Sequence, residues 1–269
     1  MKKAFTLVEM MVVLVVIAAV AHLAVRELGR AMDSRRERAA GRQLEEIRAA
    51  VWSIGADGEP RGFLADTGLM PRAADGTLSE LWRRPDAIAA HSLVAATAAN
   101  LRVPENEKAA LADASVLVPA GWRGPYIDLP FGKTRLRDPW GNPVETPDAA
   151  GLSRIWTTNG AAVAVSHYGA DALARSIRTV SLLPEGECTL AVTAEFPGDF
   201  AGEIVYKWYG PCGSSVTGGV AKVAYPAAAV FRNLTPGVKI LKDSVSGAAR
   251  RIVVRPGGNL VHLKLSKGN

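Results

Sequence analysis

The sequence has 269 residues, a length that suits one large domain or two small ones. Hydrophobic residues make up 48% and charged residues 22%, with 26 glycines and 16 prolines, which excludes a disordered chain, a collagen-like chain and a bare coiled coil. The formal net charge of +6 is diluted along the chain without a basic stretch interleaved with aromatic residues, so nucleic acid is not an expected partner.

The N-terminus begins with two lysines and continues into an apolar run, Phe5–Val25, that only Thr6, Glu9 and His22 interrupt. As a helix with a rise of about 1.5 Å per residue, this run is about 31 Å long, which matches the hydrocarbon thickness of a bilayer. We therefore expect one transmembrane helix here. The lysines ahead of it predict a cytoplasmic N-terminus and put everything after Arg26 on the other side of the membrane.

Two residues distinguish this segment from an ordinary secretory signal. Ala4, its small residue, precedes the apolar run, whereas a secretory signal has its small-residue cleavage site after the run. Glu9 lies inside the run, and a carboxylate in hydrocarbon costs about a few kcal/mol or more unless a partner neutralises it. The sequence therefore predicts a partner for Glu9 within the membrane.

The run KKAFTLVE at residues 2–9, followed by an apolar helix, resembles the class III signal of type IV pilins and type II secretion pseudopilins. In that family a membrane-embedded prepilin peptidase cuts before the phenylalanine. The resemblance implies that residues 1–4 are a leader, that cleavage falls between Ala4 and Phe5 with N-methylation of Phe5, and that Glu9 pairs with the N-terminal amine of a neighbouring subunit. The family usually has glycine in place of Ala4, and alanine is small enough for cleavage. The alternative is a plain signal anchor with one acidic residue.

From residue 26 to residue 55 the apolar residues thin to a single stripe with charged residues between them. This pattern predicts an amphipathic stalk helix over 26–55 that continues the membrane helix. From Phe5 to Ile54 the combined helix is about 75 Å long at about 1.5 Å per residue, more than one compact domain can cover. We expect the arginine-rich face to be solvated; contact with lipid head groups or adjacent subunits is the alternative. The stripe comprises Leu28, Met32, Ala40, Leu44, Ile47, Val51 and Ile54.

Residues 56–175 form the predicted head. Two of its first segments, Phe63–Pro71 and Leu78–Trp82, resemble the start of the head in many pseudopilin-like proteins. Residues 86–115 are rich in alanine and predict one or two short helices.

A turn signal follows in the head, where Asp138, Pro139 and Gly141 occupy the first, second and fourth positions of a type I turn. This segment and Tyr168–Asp171 resemble the head of major type II pseudopilins. We expect the turn to lie in a small antiparallel sheet. The predicted strands are Tyr126–Leu129, Val144–Thr146, Arg154–Thr157 and Ala162–Ser166.

Major pseudopilin heads often bind one calcium ion in the loop that follows this section. Calcium takes about six to eight oxygen ligands, several of them from carboxylates. In this chain only Asp171 fits, because Ala172–Arg175 follow it in place of further acidic residues. We therefore expect no cofactor; calcium near Asp171 is the alternative to a turn aspartate that caps its own loop.

Residues 176–269 alternate strand-like segments with turns, and short strands at regular spacing predict a β-sandwich. Within them, Val230–Gly237 and the alternating strand after it are similar to the prealbumin-like modules of carboxypeptidase regulatory domains and bacterial surface proteins. The predicted strands are Ile177–Leu183, Thr189–Phe196, Glu203–Tyr209, Val220–Tyr225, Val238–Lys242, Ile252–Arg255 and Leu260–Leu265.

Cys188 and Cys212 lie 24 positions apart in this section, each next to a predicted strand. Oxidation is permitted outside the cytoplasm, and a bridge that closes such a loop contributes about 3 kcal/mol. We expect one intrachain disulfide, and two buried thiols that behave as small apolar residues are the alternative. The two cysteines and four histidines have no zinc-ligand spacing, so no transition-metal site is expected.

The predicted fold class is α+β: a long N-terminal transmembrane helix with a small antiparallel-sheet head, as in the lollipop shape of pilins, followed by a C-terminal β-sandwich. The sequence has no GxGxxG, GxxxxGK[ST] or GxSxG motif and no paired carboxylates, so we do not expect an enzyme.

The resemblance implies a structural subunit of a type II secretion or type IV pilus filament, and the large C-terminal section favours a minor subunit because extra bulk hinders dense helical packing. The implied partners are prepilin peptidase, other pilin or pseudopilin subunits, the inner-membrane assembly platform and membrane lipid. The implied location is the bacterial inner membrane, with a single pass and a periplasmic head. The alternative is a membrane-anchored binding module whose C-terminal β-domain captures a secreted substrate or a surface.

Overall fold

The computed structural model describes residues 7–71, 78–141, 144–145, 162–166, 178–181, 188–196 and 200–265. Within them a long N-terminal helix precedes a β-rich region, as the sequence predicts. In chain order the elements are α1 (Leu7–Val51), β1 (Ser53–Ile54), β2 (Pro60–Arg61), α2 (Phe63–Thr67), a 3₁₀ turn (Ser79–Leu81), β3 (Ser92–Ala96), α3 (Glu105–Leu111), β4 (Asp113–Ala120), β5 (Val144–Glu145), β6 (Ala162–Ser166), β7 (Arg178–Ser181), β8 (Thr189–Glu195), β9 (Glu203–Cys212), β10 (Ser215–Ala224), β11 (Ala229–Phe231), β12 (Gly237–Asp243), β13 (Ala249–Val254) and β14 (Gly258–Lys264).

Helix α1 has 45 residues and is about 68 Å long at about 1.5 Å per residue. Residues 8–35 are exposed around the whole helix, whereas one face is buried from Ala40 onward. The buried positions Ala40, Leu44, Ile47 and Val51 recur at steps of four and three residues, the spacing of one helical face. The helix thus continues from the apolar run into a stretch with one buried face, but the predicted stripe is exposed as far as Met32, so that face begins only at Ala40.

The helix ends at Val51, four residues before the predicted end at residue 55. Strands β1 and β2 pair antiparallel around a turn in which the Gly58 N–H donates to the Gly55 carbonyl at 2.9 Å. After β2, Gly62 has a φ of +106°, and a Cβ atom there would stand 2.6 Å from the Val51 carbonyl oxygen. Glycine at this position therefore allows the chain to return closely against the end of α1.

The end of α1, helix α2 and the 3₁₀ turn share one apolar core in the head. The ring of Tyr126 packs edge-on against that of Phe63, with 5.8 Å between the ring centres. The Tyr126 N–H donates to the Leu81 carbonyl at 2.7 Å, and Pro125 has no N–H to donate. The predicted strand Tyr126–Leu129 is therefore wrong, because its backbone bonds to the 3₁₀ turn and not to another strand.

Strands β3 and β4 form an antiparallel pair, and α3 lies between them in sequence. Helix α3 confirms the prediction of a short helix within residues 86–115, but β4 was not predicted and neither was β3. Its alanines favour a helix by propensity, whereas the pairing of Val94 with Val118 and of Ala95 with Leu117 holds them in a sheet. Tertiary pairing thus overrides local propensity here.

The predicted turn before β5 is confirmed: the Gly141 N–H donates to the Asp138 carbonyl at 2.9 Å, and the Trp140 N–H donates to Oδ1 of Asp138 at 3.0 Å. Strands β5, β6 and β7 form an antiparallel sheet in that order. Strands β5 and β6 match two predicted strands, while β7, which we expected in the C-terminal section, pairs with β6. The predicted strand Arg154–Thr157 lies outside the described residues.

Strands β8 to β14 form two sheets that share a core. The larger sheet has the order β10-β9-β12-β13 and is antiparallel, and the smaller has the order β11-β8-β14 with β14 parallel to β8. All six strands predicted between Thr189 and Leu265 are present, together with β11, which was not predicted. The core is formed by side chains from both sheets, including Leu190, Val192, Ile204, Tyr206, Leu241, Val254 and Leu263.

The larger sheet also packs against the head. Tyr209 on β9 is fully buried in a second core that head residues complete. One side of this sheet therefore meets the smaller sheet and the other side meets the β3–β4 pair. The second core comprises Ala96, Leu101, Leu111, Val116, Val118, Tyr209 and Val216.

Candidate functional site

The first half of α1 presents an apolar surface to its surroundings. The large apolar side chains between Val8 and Leu28 are 45–71% exposed. The helix is long and apolar enough to cross a membrane, and none of its most apolar stretch is buried inside the protein. Monomeric soluble proteins rarely expose so extended an apolar surface. This half of α1 therefore needs lipid or other apolar helices around it.

Glu9 lies in the first turn of α1, among these exposed apolar residues. A carboxylate near a helix N-terminus gains about 0.3–1 kcal/mol from the helix dipole, which is less than the cost of carrying it into hydrocarbon. The predicted cleavage residues, Ala4 and Phe5, lie outside the described residues.

The stalk beyond the apolar half carries charges of both signs. Arg30 donates to Glu27 at 2.7 Å and Arg48 donates to Glu45 at 2.7 Å, both at a spacing of three residues. These pairs are exposed, so each contributes little to stability. They agree with the predicted solvated face of the stalk.

A polar cluster ties the loop around Tyr126 to helix α2. The Tyr126 hydroxyl donates to Oδ2 of Asp66 at 3.0 Å, and Nε of Arg123 lies 3.6 Å from Oδ1 of Asp66. Arg123 also donates to Nε2 of His91 at 2.8 Å. Burial raises the pKa of Asp66, against the opposite effects of Arg123 and Tyr126, and burial with the Arg123 charge lowers the pKa of His91. All four groups satisfy one another, which indicates a structural role.

A surface cavity of about 380 Å³ lies where the head meets the C-terminal sheets. Leu69, Met70 and Ile88 form apolar parts of its wall. Glu80 and Arg102 contribute charges of opposite sign. Cys212, at the end of β9, also lines it. The cavity therefore gives a solute access to one of the two cysteines.

Both predicted disulfide residues lie near one buried lysine. Cys188 is 8% exposed, Cys212 is half-buried, and no disulfide joins them in the described part of the chain. Burial lowers the pKa of Lys239 to about 7, and the charges of both cysteines act on it in the opposite direction. The predicted disulfide stays a prediction.

The sequence pattern does not mark Lys239 as a site residue. A lysine in a predicted strand is ordinarily exposed, so its type gives the wrong signal. The alternation of residues along β12 does indicate burial. Every second residue lies on one buried side of the strand, namely Gly237, Lys239, Leu241 and Asp243. Leu241, an apolar residue two positions on, marks that side as the inner one.

The described residues hold no group of three or more His, Cys, Asp or Glu side chains that could bind a metal ion. Asp171, the residue of the calcium alternative, lies outside them. Residues 1–25 match the family model for the prokaryotic N-terminal methylation motif. A comparison of the chain with curated proteins gives no match.

Proposed function

The N-terminal methylation motif and the apolar helix that begins within it fit a type IV pilin or pseudopilin, and from this premise we propose that the chain is a structural subunit of a pilin-like filament. Its part in the filament is to contribute an apolar helix to a shared core, which needs no catalysis. The observation that carries the proposal is the unburied apolar surface between Val8 and Leu28.

Processing is the first step of the proposed function. Prepilin peptidase cleaves between Ala4 and Phe5, which removes the two lysines and creates a new amine at Phe5. Methylation of that amine follows. The methylation motif over residues 1–25 supports this step.

Assembly is the second step. The new amine of one subunit pairs with the Glu9 carboxylate of its neighbour, and this pairing offsets the cost of both charges in an apolar environment. The apolar helices then pack together as a bundle. Glu9 suits this role because it lies in the first turn of α1 and is the acidic residue of the apolar run.

We further propose a minor subunit of a type II secretion pseudopilus or type IV pilus. The C-terminal sheets pack against the head through Tyr209 and add bulk to it. A large head hinders the dense helical packing that the major subunit of a filament requires. The partners in this proposal are prepilin peptidase, other pilin-like subunits, the inner-membrane assembly platform and lipid, with the head in the periplasm.

The experiment replaces Glu9 by Leu and by Ala in cells that carry the cognate assembly machinery. The mature N-terminus is read by mass spectrometry, and incorporation is read as the share of protein in sheared filaments. We expect cleavage before Phe5 in every variant, with incorporation reduced at least about tenfold for Glu9→Leu, since an unpaired amine remains in the apolar core.

Glu37→Ala is the matched control, because Glu37 is an exposed acidic residue on the same helix outside the apolar run. It should assemble like the parent. Normal assembly of Glu9→Leu would contradict the proposed pairing. An uncut N-terminus at Met1 would instead favour the plain signal anchor.

A further inference from the structure

Lys239 is fully buried in the C-terminal sheets, with 0% of its surface exposed. Its ammonium donates to Oγ1 of Thr235 at 2.7 Å and lies 5.8 Å from the centre of the Trp208 ring. Among the described residues, no carboxylate contributes to the charge environment of this lysine. A buried ammonium without a carboxylate is costly, so a chemical role for the amine has to be considered.

Cys188 is held beside this lysine on the side of the smaller sheet. The Cys188 carbonyl accepts a hydrogen bond from the Leu234 N–H at 3.1 Å. The residue after Leu234 is Thr235, whose hydroxyl accepts from Lys239. The buried thiol of Cys188 therefore belongs to the same end of the core as the lysine amine.

Cys212 approaches the lysine from the larger sheet. The register that pairs Ile240 with Tyr209 puts Gly210 opposite Lys239, and a Cβ atom on Gly210 would stand 2.7 Å from Nζ of Lys239. Side chains two residues apart on a strand share one face, so Cys212 extends from the same face as Gly210. Unlike Cys188, it also lines the surface cavity of about 380 Å³.

We propose that Cys188, Cys212 and Lys239 form a thiol oxidation site, in which the Lys239 amine takes the proton of the Cys212 thiol and Cys188 closes a disulfide between the two sheets. The oxidant is a disulfide, carried by an exported dithiol oxidoreductase or a small thiol compound. This inference rests on the proposed function only for the oxidising location of the head.

The reaction has two exchange steps that balance in electrons and protons. The Cys212 thiolate attacks one sulfur of the oxidant through the cavity, which forms a mixed disulfide and releases one thiolate. The Cys188 sulfur then attacks the Cys212 sulfur and releases the second thiolate of the oxidant. Two electrons pass from the protein to the oxidant. The two thiolates released from the oxidant accept the two protons of the cysteine thiols, and the proton of Cys212 reaches its thiolate by way of Lys239 and solvent.

The charge environment supports the role of the amine. Burial lowers the pKa of Lys239 to about 7, so a neutral amine is available near neutral pH. Once protonated, the ammonium favours the negative thiolate, which is the nucleophilic form of cysteine. The geometry thus pairs a half-buried attacking thiol that lines the cavity with a buried resolving thiol around one base.

The test uses reduced full-length protein in detergent, to which oxidised glutathione is added at pH 7. Peptide mapping without reduction should give a peptide pair joined through Cys188 and Cys212. Lys239→Met should slow bridge formation about five- to tenfold, because the thiolate loses its base. Lys222→Met, which removes an exposed lysine from β10, should leave the rate unchanged.

Single cysteine variants test the order of attack. Cys188→Ser should retain glutathione on Cys212 because the resolving thiol is missing, and Cys212→Ser should leave Cys188 unmodified. Two thiols that persist after oxidation, a bridge between two copies, or an unchanged rate in Lys239→Met would each overturn the proposal. The assay involves no filament, so its failure is distinguishable from failure of the Glu9 assembly test.

Discussion

The Tyr209 hydroxyl of the C-terminal region donates a hydrogen bond to the Leu111 carbonyl of the head at 2.9 Å, and both residues are fully buried. Removal of the hydroxyl leaves that buried carbonyl without this donor. We expect Tyr209→Phe to lower the free energy of unfolding by about 1–2 kcal/mol. Urea unfolding of the full chain in detergent measures the change.

The same strand provides the control, since Tyr206 is equally buried but its hydroxyl bonds to no described residue. In the folded protein the Tyr206 hydroxyl has lost its hydration without gaining a hydrogen bond, and Tyr206→Phe removes that cost. We expect an unchanged or slightly raised free energy of unfolding. Equal losses in both variants would show that the Tyr209 hydrogen bond is not the cause.

Lys239 should make stability depend on pH between about 7 and 10.5. In this range the unfolded lysine holds its proton while the folded one, with its pKa lowered to about 7, has released it, so stability rises with pH. Lys239→Met should therefore be more stable than the parent at pH 7, with the gap narrowing toward pH 9.5. The comparison is made with both cysteines replaced by serine, so that no thiol titrates.

Asp66 should have the opposite dependence in the acidic range. Burial raises its pKa, so the folded parent loses stability as the pH rises above the usual carboxyl range and the group becomes charged. Asp66→Asn keeps an acceptor for the Tyr126 hydroxyl and carries no charge. Its stability relative to the parent should rise between pH 4 and pH 7 in urea titrations.

Asp57 serves as the comparison for Asp66. The Glu59 N–H and then Arg61 lower the pKa of this exposed carboxyl. Its contribution to the free energy of unfolding is therefore present above the usual pKa of an aspartate and is lost as the pH falls through the pKa of the folded state. Asp57→Asn should lose stability relative to the parent as the pH rises from 3 to 5. The same sign for both variants would refute the assigned environments.

Two ion pairs connect the head with the C-terminal sheets and should differ in strength. Asp113 and Lys242 lie 2.5 Å apart with side chains 20% and 21% exposed, whereas the pair of Glu59 and Arg251 is 43% and 48% exposed. Double-mutant cycles with alanine should give a coupling of about 1 kcal/mol for the first pair and a clearly smaller one for the second, which solvent screens more strongly.

Acid should weaken the first pair. The hydrogen bond from Lys242 and then that from Ser115 lower the pKa of Asp113 to about 2. Because this pKa lies below the usual range, the contribution is lost as the pH falls from about 4 to 2. A coupling at pH 2 as large as that at pH 5 would contradict this assignment.

Sequence patterns predicted the elements that have strong periodicity. The apolar run and the stripe through Leu44 and Ile47 gave α1, and β-branched segments between turns gave six C-terminal strands, because burial of one face dictates both patterns. The turn at Asp138 followed from local chemistry. Glu9 was found because its charge conflicts with its surroundings.

Other features depend on contacts between distant segments and could not be predicted in this way. The alanines of β3 favour a helix, and it is the pairing of this segment with β4 that makes it a strand. Tyr126 was assigned to a strand, but its N–H bonds to Leu81. The neighbourhood of Lys239 and the two cysteines depends on which strands of two sheets lie together, information that no local window contains.

The middle position of the larger sheet has a consequence for dividing the chain into separate pieces. A polypeptide that stopped after β7 would leave Leu111, Val116 and Val118 facing water, since Tyr209 and Val216 complete their core. An isolated head would therefore expose a new apolar patch, and such patches promote aggregation.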